Sequence, residues 1–125
     1  MAKNYRGTGS VVRIKSAAAN VTAGDPKVEG GFHGVVANTA SAGSAYSLHI
    51  AGEHEVPFVS SAVQGSTIYI TDSSGALSLT GAVGKRIFGK VSAVPGASNT
   101  GTYLKEPATG YMWVILAHQN DAQAS

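Results

Sequence analysis

The densest polar trio in this chain is Glu53-His54-Glu55, with His49 just upstream and His33 further back. Two histidines and two glutamates form a donor set that could hold zinc or act as a general base. Spacing argues against both. On a strand successive side chains face opposite ways, so His54 points away from Glu53 and Glu55. A helical zinc-protease motif fails too, because Phe58 stands where its second histidine is needed. The trio reads better as an exposed edge strand that uses charge to discourage unwanted pairing.

Gly81-Ala82-Val83-Gly84-Lys85-Arg86 has the look of a phosphate-binding loop but lacks its working parts. Leu79 occupies the position of the first glycine, and Arg86 replaces the Ser or Thr that would hold magnesium. Ile87-Phe88-Gly89 continues as a strand where that motif opens a helix, so the segment reads as a connecting turn. No serine has the glycine frame of a nucleophile elbow. Asp25 and Asp72 sit in turns and Asp121 in the tail. Neither a catalytic set nor a cofactor site can be assembled, and the chain is not expected to be an enzyme. Tyr111-Met112-Trp113 is the concentrated aromatic group. In a strand Tyr111 and Trp113 share a face, available to stack on a ligand, to anchor a protein interface or to fill the core.

The elements that position these residues are β in character. Sixteen glycines divide the 125 residues into short runs. Val12 and Ile14 alternate with Arg13 and Lys15. Phe32 to Ala37 follows a Gly30-Gly31 bend. Tyr46, Leu48 and Ile50 alternate with Ser47, His49 and Ala51. Gly52 then interrupts as a bulge, and Pro57 confines the run 53–58 to an edge, since proline cannot donate to a ladder. Ser66 to Thr71 and Ala76 to Leu79 flank a turn at Asp72-Ser73-Ser74-Gly75; Arg86 to Val94 and Tyr111 to Ala117 are the last strands. Ala17-Ala18-Ala19 is too short to hold a helix, and Ala23-Gly24-Asp25-Pro26 reads as a turn. The expectation is an all-β single domain, a small barrel or sandwich over residues 11–117. It carries an extended N-terminal arm at 1–10, a long loop from Pro95 to Gly110 and a flexible tail at 118–125.

Composition narrows the function classes. Only 13% of residues are charged, against about a quarter in an ordinary domain, so the surface costs little to desolvate and suits large protein contacts. A net charge of +2 with scattered lysines and arginines is not a nucleic-acid footprint. The absence of cysteine removes disulfides and thiolate metal sites. No apolar run approaches the ~20 residues that span a bilayer, and the N-terminus lacks the apolar core of a signal peptide, so neither membrane insertion nor export is expected.

Several of these segments, taken in order, resemble a family of tailed-phage head-decoration proteins, also called capsid cement proteins and often labelled unknown-function or recombinase-like. The matching pieces are Met1-Ala2-Lys3-Asn4-Tyr5, Val21-Thr22-Ala23-Gly24-Asp25-Pro26, and Gly34-Val35-Val36-Ala37 with the turn at 40–45. Leu48 to Pro57, Gly65 to Tyr69, Gly75 and Ile87-Phe88-Gly89-Lys90-Val91 complete them. The loop 95–110 departs from the pattern by its length, and the missing phosphate-loop features argue against a recombinase. The resemblance implies a structural virion protein, made in the host bacterial cytoplasm. It would bind the outer surface of a shell built from the major capsid protein and stabilise that shell. Lys3, Asn4, Tyr5 and Arg6 are the expected capsid-binding residues. Glu53, Glu55, Phe58, Tyr111 and Trp113 are the expected subunit-interface residues of a homo-oligomer, a trimer rather than a dimer. The other class of function is a phage-encoded carbohydrate-binding or adhesion module, resting on Tyr111, Trp113 and the long loop.

Overall fold

Period-2 alternation becomes two antiparallel sheets. The structure is a computed structural model that describes residues 10–95 and 107–119. The expected arm with Lys3, Asn4, Tyr5 and Arg6, most of the loop 95–110 and the end of the tail lie outside the described residues. Among the described residues there is no helix and there are nine strands: β1 (Val11–Ile14), β2 (Pro26–Glu29), β3 (Phe32–Val36), β4 (Tyr46–His49), β5 (Glu53–Pro57), β6 (Thr67–Thr71), β7 (Leu77–Ser78), β8 (Lys85–Ala93) and β9 (Tyr111–Leu116). The first four form one sheet in the order β1-β4-β3-β2; the other five form the second, in the order β5-β9-β8-β6-β7. The all-β expectation holds.

The larger sheet buries one face. Val56, Ile68, Ile70, Phe88, Met112 and Val114 are each fully buried there and pack with Val35 of β3 from the smaller sheet. Alternation along β9 is regular, with Met112, Val114 and Leu116 inward and Tyr111, Trp113 and Ile115 outward. Along β8 the alternation changes phase. Ile68 pairs with Gly89 but Tyr69 pairs with Ile87, so a bulge at Phe88 lets Arg86, Phe88 and Val91 all turn inward.

Within the smaller sheet, β3 is buried on both faces. Val35 and His33 point to the first core, whereas Val36, Leu48, Tyr46 and Ile14 form a second core with Ala17 and Val21. The segment 17–21 is a strap across that second face. It is tied to the neighbouring loop by Ala17 N–H to Ser44 O (2.8 Å), Gly43 N–H to Ala17 O (2.8 Å) and a reciprocal bridge between Val21 and Ala40. Glu29 fastens it from below: one carboxylate oxygen accepts from Tyr46 Oη at 2.6 Å, the other from Ala18 N–H at 2.8 Å. The alanine run thus works as extended strapping, in line with its being too short for a helix.

Two expectations need correction. Pro26 does not close a turn; it opens β2, whose hairpin to β3 turns at Gly30 and Gly31. Both glycines have positive φ (63° and 85°), the combination a two-residue hairpin needs. Pro26 is tolerated because β2 is an edge strand and proline is its first residue. Gly52 is not a bulge inside a strand. It lies in the short link where the chain leaves β4 of one sheet and enters β5 of the other.

Candidate interaction surface

The outward face of the larger sheet is where the singled-out residues collect. β5 is an edge strand paired antiparallel with β9, and the register sets Glu53 beside Ile115, Glu55 beside Trp113 and Pro57 beside Tyr111. On the far side of β9, Lys90 of β8 pairs with Ile115. The face is therefore an apolar column down β9, with acids on one flank and a lysine on the other. Ile115 is 53% exposed, Tyr111 45% and Ile87, further along β8, 43%. The inward neighbours Met112 and Val114 are fully buried, so the column cannot turn inward without emptying the core.

Local bonds hold the face in shape. Trp113 Nε1 donates to Glu55 Oε2 at 3.2 Å, and Ala108 N–H donates to the same oxygen at 3.4 Å. Glu53 accepts from Ser92 Oγ, whose oxygen also lies 3.2 Å from the carbonyl of Trp113. Trp113 is thus fixed edge-on against Glu55 and stays partly exposed, which removes the reading that it fills the core. Gly89 floors a shallow hollow between Ile87 and Ile115, with Thr67 and Lys90 at its rim. A side chain there would meet Ile115 O at 2.3 Å, so only glycine lets β8 and β9 approach so closely.

Of the five expected interface residues, Glu53, Glu55, Tyr111 and Trp113 come together on this face. Phe58 does not. It is 40% exposed just past the end of β5, at the rim of a separate hollow that Pro26, Pro57, Gly75 and Leu77 also line. Ile87, Lys90 and Ile115 were missed, although the outward phase of Tyr111 and Trp113 already implied Ile115.

The other polar candidates have structural partners. His54 turns inward and stacks on His49 of the smaller sheet, with ring centroids 5.1 Å apart, while Glu53 and Glu55 point out. Among the described residues no group of three or more His, Asp or Glu side chains is placed to hold a metal. Arg86 of the pseudo-phosphate loop is 5% exposed and forms a two-pronged ion pair with Asp72, Nε to Oδ1 and Nη2 to Oδ2, both at 2.9 Å. Its Nη1 donates to Gly31 O at 3.0 Å, across to the smaller sheet. The sequence reading took Asp72 as turn chemistry and missed this pairing. No helix among the described residues is long and apolar enough to cross a membrane.

A phage cement protein family model matches residues 7–105. The chain belongs to the phage cement protein family. Membership gives it a structural role in a phage capsid, which is consistent with a protein that is not an enzyme. The matched span includes β1 to β8 and stops short of β9, the strand that carries Tyr111, Trp113 and Ile115. Searches of curated proteins and of solved structures find no match.

Proposed function

We propose that this cement protein binds the outer surface of the assembled capsid, in contact with the major capsid protein, and stabilises the shell. The observation that carries the reading is the apolar column of β9 on a sheet whose opposite face is wholly core. A rigid strand offers its outward side chains at little entropic cost, because they need no reordering when a partner arrives. Glu53, Glu55, Tyr111 and Trp113, joined by Ile87, Lys90 and Ile115, are assigned to contacts between neighbouring subunits or with the shell. Lys3, Asn4, Tyr5 and Arg6 are assigned to the capsid itself.

Repetition supplies what one small domain lacks. Stable specific interfaces bury about 1,200–2,000 Å² in total, a demanding footprint for a single domain of this size. Subunits that touch one another as well as the shell must be released together, which multiplies modest contacts. Trimers at three-fold and quasi-three-fold positions are the expected arrangement. Because the protein binds the assembled shell in preference to its parts, occupancy stabilises that state by mass action.

The experiment is addition of purified protein to undecorated capsids, followed by cosedimentation and cryo-EM reconstruction. Ordered density on the outside of the shell with raised shell stability supports the proposal; no binding, or density only inside, overturns it. Density astride two-fold axes would remove the trimer, and unchanged binding after deletion of residues 2–9 would remove the arm. A second reading, glycan binding, rests on Tyr111 and Trp113 sharing one exposed face. Glycan-array binding without incorporation into virions would favour it.

A further inference from the structure

His33 is fully buried in the seam between the two sheets, and nothing in the capsid-binding role requires a histidine there. It lies on β3 opposite Val28 of β2, and its ring is tilted against Phe88 of β8 with centroids 6.1 Å apart. Nε2 is 3.1 Å from the carbonyl oxygen of Ala117, just past β9. A carbonyl only accepts, so Nε2 carries the hydrogen and the neutral ring leaves Nδ1 as an acceptor. That Nδ1 is buried without a hydrogen-bond partner.

The backbone is clamped at the same point. His33 N–H donates to Gln119 Oε1 at 2.8 Å, and Gln119 Nε2 donates back to His33 O at 3.0 Å and to Ile50 O at 3.2 Å. Gln119 thereby extends β3 like a fragment of another strand. The charged groups acting on the ring come from the larger sheet: Arg86 of β8 and its partner Asp72, just after β6. From β2, Val28 shares the ring's face, while Lys27 and Glu29 alternate to the other side. His118 is exposed, and His49 and His54 stack on each other.

We propose that this seam is an acid-sensitive latch, in which a proton taken from solvent by His33 Nδ1 puts a second buried positive charge beside Arg86 and loosens the two sheets. The new N–H would have no acceptor, and the Asp72 carboxylate is already engaged by two guanidinium nitrogens. Burial is the main force holding the ring below the ordinary histidine value of 6.5. The Ala117 carbonyl works against it, Arg86 reinforces it, and Asp72 weakly opposes it. The unfolded chain therefore takes up this proton before the folded one does. Stability from the neutral ring is complete above pH 6.5 and falls away as pH drops from 6.5 towards the lower folded value. One proton limits the effect to about a tenfold rise in the unfolding constant per pH unit.

The test is urea unfolding of the full chain between pH 8 and pH 5. The wild type is expected to show a flat unfolding constant above about pH 7 and a rise approaching tenfold per unit below pH 6.5. His33→Gln removes that slope. The double variant His49→Gln/His54→Gln keeps it, which separates the seam from the stacked pair. Should His33→Gln fail to fold, NMR titration of the wild-type ring decides: a neutral Nε2–H tautomer persisting well below pH 6.5 supports the latch. A folded-state His33 that titrates at 6.5 or above overturns it, as does a slope that survives His33→Gln or disappears in the double variant.

Discussion

Removal of the Asp72 carboxylate is the most revealing single change to the seam between the sheets. Asp72→Ala takes from the Arg86 guanidinium, 5% exposed, both bonds to carboxylate, while its bond to Gly31 O stays. Breaking a buried pair from one side typically costs about 3–5 kcal/mol, because an uncompensated charge remains inside. Asp72 is 33% exposed, so water can reach the vacated position and the cost belongs at the low end, about 3 kcal/mol. The reverse truncation, Arg86→Met, removes the buried charge and leaves Asp72 free to rehydrate, so it should cost only about 1–2 kcal/mol. In the double variant nothing charged stays buried, and the losses should fall short of their sum by about 1–3 kcal/mol. Urea unfolding at pH 7, followed by Trp113 fluorescence, measures all four corners of the cycle. For a domain of this size about 3 kcal/mol also lowers Tm by roughly 10–20 °C. Additive losses, or an Asp72→Ala cost below about 1 kcal/mol, would refute the claim that this pair secures the seam.

Gly34→Ala should prevent folding or cost more than about 3 kcal/mol, since a Cβ there would lie 2.0 Å from His49 O across the β3–β4 ladder; circular dichroism and thermal melts check it. Tyr46→Phe should cost about 1.5–3 kcal/mol through loss of the 2.6 Å bond to ionised Glu29. Burial first, then Glu29, raises the Tyr46 phenol well above its usual 10, so the stability it contributes is present below pH 10 and lost as pH rises further. An alkaline unfolding series should show this loss in the wild type and not in Tyr46→Phe. Ile115→Thr keeps a β-branched strand residue but removes apolar surface from a side chain that is 53% exposed. Binding to undecorated capsids should weaken roughly 5–10-fold, about 1–1.4 kcal/mol, with Tm nearly unchanged.

The strands that alternate cleanly were legible in the sequence. The alternation of Tyr46 and Leu48 with Ser47 and His49 is kept as buried and half-buried positions, and the runs at 66–71 and 111–117 are strands as read, with Ile68, Ile70, Met112 and Val114 inward. β2 was not legible. Pro26-Lys27-Val28-Glu29 has one clear hydrophobe, and Glu29 is needed only to fasten a strap that no local pattern announces. The interface candidates were found one by one from residue type. Their assembly depends on β5 pairing with β9, more than fifty residues away in sequence, and periodicity carries no information on partners. Phe58 stands apart from the others because the alternation sets it opposite Glu53 and Glu55 and it lies just past the end of β5. His33 and the Arg86–Asp72 pair were invisible because burial of a polar side chain is decided by what the other sheet brings to it.

The place of β9 in the sheet order bears on how the protein is made. The chain lays down its strands nearly in sequence, the smaller sheet complete by His49, yet the last strand does not join an edge. It enters between β5 and β8. Until it arrives, β5 lacks its one strand partner among the described residues, and the core lacks Met112 and Val114. During synthesis the larger sheet therefore stays split until residues 111–116 have emerged from the ribosome. The column of Tyr111, Trp113 and Ile115 is on that same segment. A chain still being translated, or one cut short before β9, has no such surface to offer. Under the docking role proposed above, completion of the fold and competence to dock are one event, and partly made subunits are expected not to compete for places on the shell.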